Sequence, residues 1–158
     1  MKDPQTQYRE TQILTASPAK LLIMLYDAAI VAIETAIAEL EAKSLHYDIV
    51  NNNLLKAQEI VSELIVGLDS SKAPEIVRNL EALYNYFIKR LMEGNIRKEI
   101  PPLKEVLGHL KELRQAWQIA CEKVQEEETR MKSPESVTPP SSTSRPSPKK
   151  SGGLNIKG

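Results

Sequence analysis

Chemistry in this chain would have to come from two histidines, one cysteine and a single Glu–His pair at helical spacing. A bimetallic helical bundle needs repeated Glu-x-x-His pairs projecting inward. Here only Glu105 stands ahead of His109, at the next helical turn, and one such pair reads as two neighbours on a helix surface. Nucleophilic catalysis would need His46 or His109 beside Cys121 or a serine, with a third group to orient the base. Both histidines fall at helix ends or on charged faces, so the expectation is no enzyme, no metal and no cofactor. His109 offers one alternative, as the phosphoacceptor of a histidine phosphotransfer bundle. Such proteins characteristically show Lys-Gly soon after the histidine, whereas Leu110-Lys111-Glu112-Leu113 follows here. Cys121 is alone, so neither a disulfide nor a thiolate zinc site can be built within the chain, and a reducing cytoplasm is the simplest setting. It reads as a small buried hydrophobe.

The elements that would carry these residues are helices. Aromatic content is 4%, and glycine is scarce in the first hundred or so residues, which disfavours strands. Asp3-Pro4 fits the start of a short helix, Asp as cap and Pro in the first turn. Ser17-Pro18 is a stronger start signal and opens a helix expected to reach Ala42 or Lys43. Within it, Leu21 to Ile33 contains one charge, Asp27. Lys20, Asp27, Glu34 and Glu41 recur every seven residues and form one narrow polar stripe. The rest of the circumference is apolar. One face can fill a core, and a second apolar face needs another chain to cover it.

A second helix is expected from about His46 to Leu68, with Leu54, Ala57, Ile60, Val61, Leu64, Ile65 and Leu68 at helical spacing. Asp69-Ser70-Ser71-Lys72 reads as a turn. A third helix follows from Pro74 and is expected to end at Gly94-Asn95. Tyr84 and Tyr86 point about 200° apart on it, so one can be core and the other surface. Pro101-Pro102 launches a fourth, whose single apolar stripe runs from Leu103 through Leu110 and Trp117 to Cys121 and Val124. Trp117 reads as core. Four helices with short connections predict an all-α, antiparallel four-helix bundle. The expected division is an N-terminal cover segment at 1–14, a bundle at 15–128, and a Pro/Ser-rich tail at 129–158. That tail cannot bury enough apolar surface to offset its ordering entropy, so disorder is expected.

Charge divides along the same lines. Residues 132–158 hold five basic groups and one acid, or +4, in a chain whose net charge is zero, leaving −4 for the remainder. A basic stripe on the folded part, the footprint of nucleic-acid binding, is missing. Asp27, Glu34 and Glu39 interrupt the apolar run of the first helix, so it is not expected to insert in a membrane. The opening Met-Lys-Asp-Pro-Gln-Thr-Gln has no apolar stretch of signal-peptide kind.

Four blocks in register carry a family resemblance. They are Thr15-Ala16-Ser17-Pro18-x-x-Leu21-x-x-Met24-Leu25-Tyr26-Asp27, then Lys56-Ala57-Gln58-Glu59-Ile60-Val61-x-Glu63-Leu64 with Leu68-Asp69. Next come Asn79-Leu80-x-x-Leu83-Tyr84-x-Tyr86 with Arg90-Leu91 and Asn95, and finally Leu113-Arg114-x-Ala116-Trp117. Over about residues 8–125 the chain resembles the FliS family, the flagellin-specific export chaperones. It departs from the family in the 2–3 turn, which lacks glycines, in Gly94 where Ala is usual, and in its long tail. Both Gly94 and the turn are read as lying at helix ends.

The resemblance implies a cytoplasmic, non-enzymatic chaperone. It would bind the disordered C-terminal segment of flagellin in apolar grooves, prevent premature polymerisation and support delivery to components of the flagellar type III export gate. It further implies that Tyr8, Ile13 and Leu14 form a cover over the groove, displaced by the client. The residues expected to meet flagellin are those three together with Leu21, Met24, Leu25, Tyr26, Ala57, Val61, Leu64, Leu80 and Tyr84. Self-association is a further way for the client-free protein to cover its apolar face. The rival reading is a non-enzymatic helical docking module that works through its tail.

Overall fold

The computed structural model describes residues 3–7 and 17–132, where the regular elements are helices joined by short turns. Residues 4–7 make one helical turn, closed by Gln7 N–H donating to the Asp3 carbonyl at 3.1 Å. The predicted cover residues Tyr8, Ile13 and Leu14, and the tail from residue 133, lie outside the described residues.

Helix α1 spans Pro18–Glu41, and Ser17 in extended backbone geometry caps it, its hydroxyl accepting from Lys20 N–H at 3.3 Å. Pro18 at the first position costs nothing, because that N–H has no intrahelical acceptor. Past Ala42 the chain reverses through two left-handed residues that are not glycine, Lys43 (φ 52°) and Leu45 (φ 63°). Helix α2 spans Tyr47–Val66 and closes at Gly67. In the following turn Asp69 accepts from both the backbone and the hydroxyl of Ser71, at 3.0 and 2.6 Å, which holds its carboxyl below the ordinary range.

Helix α3 spans Pro74–Arg97 and α4 spans Ile100–Lys132. The expected stop at Gly94-Asn95 is not there. Both residues are buried inside α3, and the left-handed cap is Lys98 at φ 54°. Gly94 answers to packing, not to chain reversal. A Cβ at this position would stand 2.6 Å from Leu103 Cδ2 and 3.1 Å from its Cγ, so the missing side chain lets α4 approach α3. Its placement at a helix end is therefore corrected. Helix α4 begins at Ile100, one residue before the proline pair, and both prolines sit where helical N–H groups are orphaned anyway.

Helix α1 packs closely on α2, and α2 on α3. Helix α4 seals the interior with Leu103, Val106 and Leu110, each 0% exposed. Its direction against α1 is fixed by three ion pairs: Asp27–Arg114 at 2.6 Å, Glu34–Lys111 at 3.1 Å and Glu41–Lys104 at 3.2 Å. As the α1 numbers rise the α4 numbers fall, so the two helices are antiparallel, and the architecture is a four-helix bundle. Three of the four residues in the polar stripe of α1 thus mark the seam with α4.

The compact unit holding the bundle ends at Ile119, and from Ala120 onward the helix belongs to a separate unit. In that stretch Val124 is exposed and Cys121 is half-buried, so the expected burial of Cys121 is corrected. Trp117 is half-buried and packs against the core. Among the described residues α1 alone is long and apolar enough to cross a membrane. Its inner face instead supplies the middle of the bundle core.

Candidate functional site

Helix α1 has two apolar faces with different fates. On the inner one, Tyr26, Ala29, Ile33 and Ala36 are all 0% exposed. At the upper end of this face the Trp117 indole N–H donates to the Tyr26 hydroxyl at 3.1 Å, and that hydroxyl hydrogen-bonds the Tyr84 hydroxyl. Burial, reinforced by the bond to Tyr84, pushes the Tyr26 phenol far above its ordinary range, and burial likewise raises Tyr84. Neither phenol ionises under ordinary conditions. The cluster is a neutral polar tie across three helices.

The outer face is a row at helical spacing: Leu21, Met24, Ala28, Val31 and Thr35. Leu21, Met24, Ala28 and Thr35 are half-buried, and Val31 is 59% exposed. Leu25 and Ala28 pack against the core along the edge of this row. One turn beyond Thr35 stands Glu39, which lines a cavity of about 630 Å³ at the end of the bundle. Here the α1–α2 reversal meets the α3–α4 junction.

The predicted contact residues divide accordingly. Leu21, Met24 and Leu25 come together on α1, and Leu80 is half-buried against the core. Tyr26, Ala57, Val61, Leu64 and Tyr84 are sealed inside, none more than 3% exposed. In this conformation those five build the bundle and present no surface. The reason is that α2 carries one main apolar face, which must turn toward α1 and α3. Ala28 and Val31, which sequence reasoning missed as surface, simply continue the spacing from Leu21 and Met24. Tyr86 takes the surface role left open against Tyr84, its hydroxyl donating to Glu105 at 2.8 Å.

The residues considered for catalysis have other occupations. Glu105 is paired with Arg90 at 2.6 Å, and the bonds from Tyr86 and Arg90 hold its carboxyl below the ordinary range. His109 stacks on Phe87, ring centres 5.7 Å apart, with Glu112 3.8 Å from its Nδ1. Among the described residues no cluster of three His, Cys, Asp or Glu side chains could hold a metal ion.

Comparison with known proteins agrees with the block pattern. The profile of the family described as Flagellar protein FliS matches residues 1–124. The flagellar secretion chaperone FliS of Bacillus subtilis is 32% identical over 122 residues, covering 77% of this chain and 89% of that protein. That of Salmonella typhimurium is 35% identical over 130 residues, with the same shares covered. The Escherichia coli protein of the same name is 30% identical over 109 residues, 68% of this chain and 79% of its own length.

Proposed function

This chain belongs to the FliS family of flagellar secretion chaperones, and we propose that its client is flagellin, held by the C-terminal segment along the outer face of α1. The observation that supports this reading is the second apolar face. Leu21, Met24 and Val31 are left out of the core of a bundle that already has one, and Ala28 packs along its edge. A helix with i, i+3, i+4 apolar positions can lay its own apolar face on such a row, which is helix-in-groove recognition. A client that orders on binding gives up conformational entropy and needs a long apolar contact to be held.

In this account the protein works in the cytosol by binding energy alone, with no nucleotide or cofactor. It keeps the polymerising region of flagellin covered until components of the export gate accept the subunit. The test is calorimetric titration of the full chain with the C-terminal segment of flagellin from the same genome, with far-UV circular dichroism of the mixture. One-to-one binding with helix gained beyond the sum of the parts is expected. A folded bundle that gives neither heat nor helix would overturn the proposal.

A further inference from the structure

The cavity at the end of the bundle sits where the outer row of α1 runs out, and its lining differs from that row. Its floor includes Leu40, Val50 and Ile100, and its rim carries Lys43, Tyr47 and Lys98. Lys98 lies under the Tyr47 ring, its Nζ 5.9 Å from the ring centre, and donates to the side-chain carbonyl of Asn95. Asn95 in turn donates to Asn51 at 2.9 Å, so the relay reaches into the α2–α3 interface. The ammonium has three donors and no carboxylate among these partners. Partial burial lowers its pKa, the sign of a cation short of compensation.

Two carboxylates share the cavity. Glu39 is engaged by Ser44 and by His46, whose Nδ1 is 3.4 Å away. Glu99 lies beside the start of α4, where the positive end of a helix dipole favours an acid. Lys43 and Lys98 thus line one half-enclosed cavity whose apolar floor is of side-chain size.

We propose that this cavity takes the carboxyl terminus of the bound client: the last apolar side chain against Leu40 and Ile100, the terminal carboxylate between Lys98 and Lys43. The inference rests on the proposed client reading and adds polarity and register to it. From Leu21 to Glu39 the row is about 27 Å long at ~1.5 Å per residue, room for five turns of client helix that ends at the lysines. A helix C-terminus is also the negative end of its dipole, so the approach of that end to two cations is doubly favourable.

The test uses the full chain and two forms of the C-terminal flagellin segment, one a free acid and one a C-terminal amide. Binding of the acid is expected to be about tenfold tighter, close to 1.4 kcal/mol. The difference should shrink with added salt and disappear in Lys43→Met and in Lys98→Met, while the amide binds all three proteins alike. Lys43→Met guards against a folding defect at the half-buried Lys98. Equal affinity of acid and amide for the unmodified protein overturns the carboxylate site and leaves the flagellin reading standing. Failure of both forms to bind overturns the flagellin reading, and this inference with it.

Discussion

The two faces of α1 are made from nearly the same residue types, yet one is structure and the other is surface. Ile33 and Tyr26 on the inner face are 0% exposed, while Val31, two residues from Ile33, is 59% exposed. Chemistry of the side chain does not separate them. What separates them is which neighbours α2, α3 and α4 offer, and those are decided by helix pairing far away in sequence. The comparison teaches that hydrophobicity in this helix has two purposes, and that substitutions can pull them apart.

Breaking the inner face should have the largest effect. Ile33→Ala on that face, or Leu54→Ala in the part of the same core that α2 supplies, removes fully buried volume and is expected to cost about 2–5 kcal/mol of stability in chemical denaturation. Tyr26→Phe comes next. It strips the acceptor from the Trp117 N–H and the hydrogen-bond partner from the Tyr84 hydroxyl, and should cost about 1–3 kcal/mol by the same measurement.

Outer-face substitutions should behave in the opposite way. Val31→Glu and Met24→Glu are expected to leave the unfolding free energy within ~0.5 kcal/mol of the parent. The same changes should weaken flagellin binding more than about tenfold in calorimetry. An outer-face change that unfolds the bundle, or an inner-face change that spares it, would collapse the distinction.

The α1–α4 seam sharpens the comparison at smaller scale. Asp27 and Arg114 are 49% and 36% exposed, so solvent screening limits Asp27→Asn to about 0.2–1 kcal/mol. Smallest is the pH effect at Glu105. Its carboxyl is held below the usual 4.5 by Tyr86 and Arg90, so its contribution is complete above that value and is lost as pH falls through the lower folded value. Thermal melts of the parent and of Glu105→Gln should therefore converge on acidification.

Much of the scaffold was legible before any coordinates. Ser17-Pro18 marked the start of α1 through a mechanism that is local, a hydroxyl cap followed by a residue with no N–H to satisfy. The Gly94-Asn95 stop was misread because a glycine near the end of a helical pattern usually supplies the left-handed cap. Here Lys98 adopts that conformation, and Gly94 answers instead to Leu103 on another helix. No local rule could have disclosed that contact.

The site was legible only in part for the same reason. Periodicity showed that α1 has more apolar circumference than one core can use, but not which half the core takes. Tyr26, Ala57, Val61, Leu64 and Tyr84 repeat at the same spacing as Leu21 and Met24, and only the packing of α2 and α3 assigns them inward. The Trp117–Tyr26–Tyr84 tie joins residues 58 and 91 apart in sequence, and helix periodicity alone says nothing about contacts at that range.

The most direct measurement is methyl NMR with labelled methionine. The chain has four methionines. Met24 sits half-buried in the outer row of α1, while Met92 and Met131 are exposed on α3 and α4, at 47% and 78%. Titration with the C-terminal segment of flagellin should move or broaden the Met24 resonance at the stoichiometry that calorimetry gives, and Val31→Glu should abolish the response. A Met24 signal that stays in place while flagellin binds would contradict the account, because the client would then be held on some other face of the bundle.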